Sequence, residues 1–264
     1  MEPVLIRASS LPGLFECPAR WEAVHINKIR MPRSSAAQLG TAVHAGTALF
    51  DDSWLYGPGL DPDDTAGAVV DAIHKPETDV LWDEMQPAEA ERIALSLHYL
   101  YCEQVAPKQT YAAVEATCER LDITDLGIAL TGTVDRVRVV DGEYGIADIK
   151  TGKAAVSADG ICKTQGHAAQ MAVYELLAEH SAGVKISAPA QIIGLQVAKT
   201  DRGRRVATGT ISGGRELLLG DEDQPGLLEM AAKIIKSGVF FGNPRSVGCG
   251  EKYCPIFKTC NWRR

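Results

Sequence analysis

The sequence predicts an α/β protein in the broad sense (α+β), in which helices flank a mixed β-sheet. Three observations support this prediction. Apolar residues recur at helical spacing through the first 105 residues, strand-like text follows from residue 111 to residue 150, and a helix, two strands and a last helix complete the chain. Because 45% of the 264 residues are hydrophobic, we expect a single domain with one substantial core.

The amino-terminal part is predicted to be helical and partly acidic. Helical spacing relates Leu39, Val43, Phe50, Ile93, Leu97, Leu100 and Tyr101. Residues 51–91 contain twelve Asp or Glu and one base, Lys75, so they carry a charge of -11 in a chain whose net charge is -7. We therefore predict a solvated, acidic helical insertion over residues 51–105 and a remainder that can approach a polyanion.

Three antiparallel strands are predicted at residues 111–123, 128–140 and 143–150. Asp141 and Gly142 form a favoured two-residue hairpin turn, which places Asp135 opposite Asp148 in a non-hydrogen-bonded pair. Two buried carboxylates in that position need a cation or a shared proton, and a divalent metal satisfies this need. A four-residue turn would instead pair Asp135 with Lys150 in an ordinary salt bridge.

The remaining elements follow the hairpin in order. A helix is predicted over residues 165–180, strands over 191–197 and 205–211, and a last helix over 224–236. The first residues lack the apolar run of a signal peptide, and no stretch is long enough to span a bilayer. We therefore expect a cytoplasmic protein, in which seven cysteines do not form a disulfide framework.

Four cysteines suggest a metal clasp between the two ends of the chain. Cys249, Cys254 and Cys260 crowd a segment that is too small to form a hydrophobic core, and Cys17 supplies a fourth thiolate. An iron–sulfur cluster is the first candidate and zinc the second; the alternative is that Cys17 is a small buried hydrophobic residue. The cysteines expected to serve packing alone are Cys102, Cys118 and Cys162.

Several segments, in this order, resemble the RecB-like family of PD-(D/E)XK nucleases, most closely its stand-alone iron–sulfur exonucleases of the CRISPR-associated and phage type. They are residues 9–21 with Cys17, 39–46 with His44, 132–136 with Asp135, 148–150 with the Asp-Ile-Lys core, 170–174 with the Gln-x3-Tyr pattern, and the three-cysteine tail. Each motif alone is common. Their shared order is what carries the resemblance.

The resemblance implies a PD-(D/E)XK restriction-endonuclease-like catalytic core, at residues 111–240, with the cysteines as a 4Fe-4S clasp. It implies a metal-dependent DNA exonuclease that acts on single strands or duplex ends, in recombination, repair, phage DNA processing or CRISPR adaptation. The implied ligands of Mn²⁺ or Mg²⁺ are His44, Asp135, Asp148 and the carbonyl of Ile149. DNA is the implied partner, and protein partners and oligomers are compatible with it.

Four further side chains are candidates for the site. Lys150 orients the nucleophile and offsets negative charge, or forms an ion pair with Asp148 alone. Gln170 and Tyr174 share a helical face and line the site, although Tyr174 also fits a core position. Glu115 is an additional acidic candidate, with exposure on an edge strand as the equal alternative.

Two functions remain in competition at this point, the exonuclease and a catalytically weak DNA-binding or recombination scaffold on the same fold. The complete set of His44, Asp135, Asp148 and Lys150 favours the enzyme. Basic residues expected to contact phosphates are Lys199, Arg202, Arg204, Arg205, Lys258, Arg263 and Arg264.

Overall fold

A computed structural model describes residues 2–263 and has the predicted mixed α/β class. Its strands are Val4–Arg7 (β1), Arg33–Ser34 (β2), Val80–Leu81 (β3), Tyr111–Thr117 (β4), Leu121–Ile123 (β5), Ile128–Thr131 (β6), Thr133–Val140 (β7), Glu143–Gly152 (β8), Ala190–Gln196 (β9) and Arg205–Ile211 (β10). Its α-helices are Leu11–Glu16 (α1), Pro18–Trp21 (α2), Ser35–Tyr56 (α3), Pro62–His74 (α4), Pro87–Gln104 (α5), Ala168–Ala182 (α6), Gly214–Leu219 (α7) and Leu227–Ser237 (α8).

The central sheet has five strands in the order β10-β9-β8-β7-β4. Strands β8 and β9 are parallel and the other neighbours are antiparallel, so the sheet is mixed, as predicted. The β7–β8 hairpin turns at Asp141 and Gly142, both with positive φ, which suits a two-residue turn of type I′. Its ladder runs from Val140–Glu143 to Arg136–Ala147, which confirms the two-residue turn and excludes the four-residue alternative.

The prediction of three unbroken strands is wrong in one respect. Each of the first two predicted strands is split, and the separated parts β5 and β6 join β1 in a second, three-stranded sheet of order β1-β6-β5. The break between β6 and β7 lies at Gly132, where a Cβ atom would come within 2.9 Å of Tyr174 Cε1. The glycine thus lets α6 approach the backbone where the chain passes from one sheet to the other.

Helices cover both faces of the central sheet. On one face, α3, α4 and α5 pack their apolar sides over Ala147, Ile149 and Ile193. On the other face, α1, α6 and α8 pack over Ile146 and Ile192. The predicted helices at residues 165–180 and 224–236 correspond to α6 and α8 with shifted ends, and the short α7 was not predicted. The central sheet, whose strands carry candidate site residues, therefore lies between two layers of helices.

The acidic segment forms helices, but only its outer side is solvated. Asp61 and Asp64 form a capping box at the start of α4, where carboxylates favour the positive end of the helix. The inner sides of α4 and α5 bury Val69, Ile73 and Ile93 in the core over the sheet. The helices of the acidic segment are therefore amphipathic. Their apolar sides belong to the core, and most of their carboxylates lie on the exposed side.

The two ends of the chain meet. The backbone N–H of Ala19 donates to the carbonyl of Phe241 at 3.0 Å, and the side-chain amide of Asn243 donates to the carbonyl of Glu16 at 2.9 Å. These bonds hold α1 and α2 against the carboxyl-terminal segment. Within residues 2–263, we find no helix with the length and apolar content needed to cross a membrane.

Candidate active site

Two aspartates lie where the β7–β8 ladder ends. Asp135 and Asp148 come directly after the last pair, Arg136–Ala147, in the same register. Both are buried, and Asp148 is only 1% exposed. Asp135 Oδ2 accepts a hydrogen bond of 2.8 Å from the backbone N–H of Ile149, so a side chain occupies the position of a ladder bond. The predicted juxtaposition of two buried carboxylates is therefore present.

A third carboxylate faces Asp135 from the edge strand. Glu115 lies between the pairs Val114–Arg136 and Ala116–Val134 of the β4–β7 ladder, which places it opposite Asp135. Its φ of 46° is in the left-handed region, which is uncommon for a residue with a side chain and costs free energy. Glu115 thus combines both expectations, since it is 42% exposed on an edge strand and also reaches the site.

His44 joins these carboxylates from α3. Its Nδ1 lies 3.5 Å from Asp135 Oδ2 and 3.9 Å from Glu115 Oε1, and its Nε2 lies 3.0 Å from the carbonyl oxygen of Ile149. Burial alone would lower the pKa of His44, but the carboxylates of Asp135 and Glu115 outweigh it and raise the pKa to about 9. The carboxylates therefore favour the protonated, positively charged form of the His44 imidazole.

The donor set of this group fits a divalent metal. Ligand atoms of His44, Glu115 and Asp135 all lie within 4.8 Å of one another. Two carboxylates with one imidazole suit Mg²⁺ or Mn²⁺, and the nearby carbonyl of Ile149 offers a further oxygen. The structure thus places three of the four predicted ligands together and adds Glu115, while Asp148 stands beside the group with other partners.

Asp148 is held by Lys150 and Gln170, and Tyr174 is connected to it through Gln170. Lys150 Nζ lies 2.6 Å from Asp148 Oδ2, and Gln170 Nε2 donates to Asp148 Oδ1 at 3.4 Å and to the Tyr174 hydroxyl at 3.1 Å. Burial and the charge of Asp135 raise the pKa of Asp148, and Lys150 opposes this rise. The chain Lys150–Asp148–Gln170–Tyr174 therefore forms one connected polar network.

Arg136 supports the site from the opposite side of β7. It is fully buried, as Arg136 Nε contacts Asp51 Oδ2 at 2.7 Å and Arg136 Nη1 donates to the carbonyl of Asp135 at 2.7 Å. Its Nη1 also lies 3.3 Å from Glu115 Oε1, and Asp51 accepts a hydrogen bond from the Tyr101 hydroxyl. These contacts tie α3 and β4 to the strand of Asp135.

The role of Asp51 was missed because it stood in the acidic segment. Asp51 lies seven residues after His44, two turns along the same face of α3, and that spacing is the signal that relates them. Arg204 was also misjudged as a phosphate contact, because its side chain is buried and bound to Asp201 and to the carbonyl of Ala198.

The four end cysteines line one small cavity of about 10 Å³ between α2 and the carboxyl-terminal segment. The backbone N–H of Asn243 lies 3.4 Å from Cys17 Sγ, and Arg20 also lines the cavity. Within residues 2–263, no three of the sulfurs lie within 4.8 Å of one another. The cysteines predicted to serve packing, Cys102, Cys118 and Cys162, are buried in the protein and free. The four end cysteines thus line the same cavity, but their sulfurs do not form a group of three within 4.8 Å of one another among the described residues.

Comparison with known proteins gives a family. The model of the PD-(D/E)XK nuclease superfamily matches residues 8–261. The solved structure described as "Crystal structure of SSO0001" is 14% identical, with a TM-score of 0.43, over 100% of this chain and 89% of that chain. No curated protein matches the chain.

Proposed function

The chain belongs to the PD-(D/E)XK nuclease superfamily, and from this premise we propose that it is a metal-dependent DNA exonuclease acting on single strands or duplex ends. The observation that carries the proposal is the meeting of His44, Glu115 and Asp135 beside the Asp148–Lys150 pair. Within this domain we assign residues 111–240 to the catalytic core and residues 51–105 to a helical insertion that covers one face of its sheet. The likeness to a nuclease family supports DNA as the substrate.

The residues of the site have separate tasks in this proposal. We assign His44, Asp135, Asp148, Glu115 and the carbonyl of Ile149 to the binding of Mg²⁺ or Mn²⁺. A divalent metal held by these residues would supply a Lewis acid that polarises the phosphate and lowers the pKa of an attacking water. A buried carboxylate cluster favours such a cation because each carboxylate is otherwise repelled by its neighbours.

Lys150 is the proposed cation at the reacting phosphate. The Lys150 side chain is 28% exposed and its ammonium group lies against Asp148, so it can exchange this contact for one to a phosphate oxygen or to the nucleophile. Gln170 keeps Asp148 oriented through the bond to Oδ1. Tyr174 has its hydroxyl oxygen occupied by Gln170, and its proton remains free to be donated to a substrate oxygen.

End-labelled single-stranded and double-stranded DNA tests this function directly. We expect the purified protein with Mn²⁺ or Mg²⁺ to shorten the strands progressively from an end, and chelation by EDTA to stop the reaction. Products resolved by length give the polarity and the strand preference. Binding of DNA without any cleavage under these conditions would instead establish the scaffold function.

We also propose that Cys17, Cys249, Cys254 and Cys260 bind a 4Fe-4S cluster that clasps the two ends of the chain. The four cysteines line one shared cavity, which supports a common metal centre that all four ligate. The N–H of Asn243 and the guanidinium of Arg20 supply the donor and the positive charge that a cluster with thiolate ligands favours.

Metal analysis of anaerobically purified protein tests the clasp. We expect a brown protein with iron and acid-labile sulfide, and a Cys254→Ser variant that loses iron and melts at a lower temperature, because metal binding contributes folding free energy. The control is Cys118→Ala, which should keep its iron. Colourless protein that contains zinc would show that the clasp is a zinc site and not a cluster. Full iron content in Cys254→Ser would show that Cys254 is not a ligand.

A further inference from the structure

A polar groove of about 410 Å³ opens beside the carboxylates, where the two sheets meet. Its polar lining consists of Arg7, Ser9, Thr117, Thr131, Thr133 and Tyr174. Within residues 2–263, the lining contains no acidic side chain, although the chain as a whole is acidic. The groove therefore presents hydrogen-bond donors and one positive charge to whatever enters it.

The groove extends along β7 and β4, away from the carboxylates of the metal group. Thr133 lies two residues before Asp135 on β7 and is paired with Thr117, which lies two residues after Glu115 on β4. Two residues of strand span roughly 7 Å. The next step along the chain reaches Thr131, which is paired with Arg7 of β1. A row of hydroxyl groups thus runs from the carboxylates to an arginine over a few nucleotide lengths.

Tyr174 connects the groove to the catalytic network. The residue is only 6% exposed and lines the groove, and its hydroxyl accepts a hydrogen bond from Gln170. Among the residues that the structure describes, its proton has no acceptor. Gly132 allows this placement, because a Cβ atom there would come within 2.9 Å of the ring. A buried donor without an acceptor indicates a ligand oxygen at this point.

Arg7, the basic residue of the groove, also lies near further positive charges. Burial lowers the pKa of His25, and the nearby charges of Lys28, Arg30 and Arg7 lower it further. A basic residue next to a row of hydroxyl groups matches the contacts that proteins make to nucleic-acid phosphates.

We propose that this groove binds a phosphate of the DNA strand, with Arg7 as its charged contact and Thr131, Thr133 and Tyr174 as hydroxyl donors. The proposal rests on the function given above, since it places the strand that enters the metal group. An internal phosphodiester and a terminal phosphate share the required chemistry. In both cases the groove sets how the strand lies relative to the carboxylates.

Salt-dependent binding provides the first test, in EDTA so that no cleavage is needed. We expect Arg7→Gln to weaken the binding of a short single-stranded DNA about tenfold at low salt. The slope of log K against log salt concentration should fall by about 0.7, the value for one phosphate contact on a single strand. The control is Lys185→Gln, which removes the same charge beyond the far end of α6 and should change neither quantity.

A second test locates the phosphate. In wild-type protein, a neutral methylphosphonate placed at successive positions of the DNA should weaken binding about tenfold at one position, and Arg7→Gln should abolish that penalty alone. Thr133→Val should reduce it. A penalty at the terminal phosphate, compared with a 5′- or 3′-hydroxyl end, identifies the terminal source; a penalty inside the strand identifies an internal one.

The inference and the function fail in different ways. Identical penalty profiles in wild-type protein and Arg7→Gln, or an unchanged salt slope, would overturn the phosphate groove even if the protein digests DNA. If Arg7→Gln abolishes the methylphosphonate penalty but the wild-type protein never cleaves DNA, the phosphate-binding groove is supported and the nuclease function is refuted. Absence of any salt-dependent DNA binding would overturn the groove as well.

Discussion

Replacement of Asp148 by Asn, or of Lys150 by Met, is expected to reduce DNA cleavage by at least about 10²-fold. Asp148 is 1% exposed and is the hub that Lys150 and Gln170 both contact. Asn keeps the shape but loses the charge that the metal and Lys150 require, and Met keeps the length of Lys150 without its ammonium group. Initial rates on end-labelled DNA, at saturating Mn²⁺, measure this loss.

The two residues should act as one unit. If Lys150 works at the phosphate that Asp148 helps to position, the double variant will be about as slow as the slower single variant. The control is Asp159→Asn, an exposed aspartate in the loop after β8, which should leave the rate unchanged. A normally folded variant of either residue that cleaves at the wild-type rate would contradict the proposed site, and thermal unfolding establishes that the variants are folded.

Replacement of Arg136 by Met should destabilise the protein by about 3–5 kcal/mol, because it leaves the Asp51 carboxylate buried without its cation. For a chain of this length, the melting temperature should fall by roughly 10 °C. Urea unfolding at neutral pH measures the free energy. The same variant should also lose cleavage, because Arg136 contacts Glu115 and the backbone of Asp135.

Two controls separate the ion pair from simple loss of packing. Arg138→Met removes another buried arginine of β7, whose Nη2 donates to the Pro189 carbonyl at 2.6 Å without a carboxylate partner among the described residues, so its cost should be smaller. The Asp51→Asn, Arg136→Met double variant should cost less than the two single variants together. A loss below about 1 kcal/mol for Arg136→Met would show that water reaches Asp51 and screens its charge.

The local parts of the site could be predicted from sequence, because they depend on short-range geometry. An Asp-Gly turn sets the hairpin register, and the register places Asp135 beside Asp148. Helical spacing likewise brings Gln170 next to Tyr174. His44 required the order of motifs, since no local pattern states that α3 lies over the end of this hairpin.

The other features depend on tertiary packing and lacked a local signal. Residues 128–140 alternate as one strand, and only the close approach of α6 shows that the chain must break at Gly132. Glu115 could not be assigned, because its place opposite Asp135 depends on the pairing of β4 with β7. Asp51 seemed to belong to a solvated surface, and its burial follows from a partner 85 residues away.

The meeting of the chain ends has a consequence for the order of folding. Glu16 and Cys17 take partners from Asn243 and Ser246, at sequence separations of 226 to 230 residues. During synthesis these amino-terminal helices must therefore wait for nearly the whole chain to leave the ribosome. Contacts of such long range slow folding, and a truncated or stalled chain leaves α1 and α2 without their docking surface. Chains that lack the carboxyl-terminal segment therefore cannot complete the folded domain.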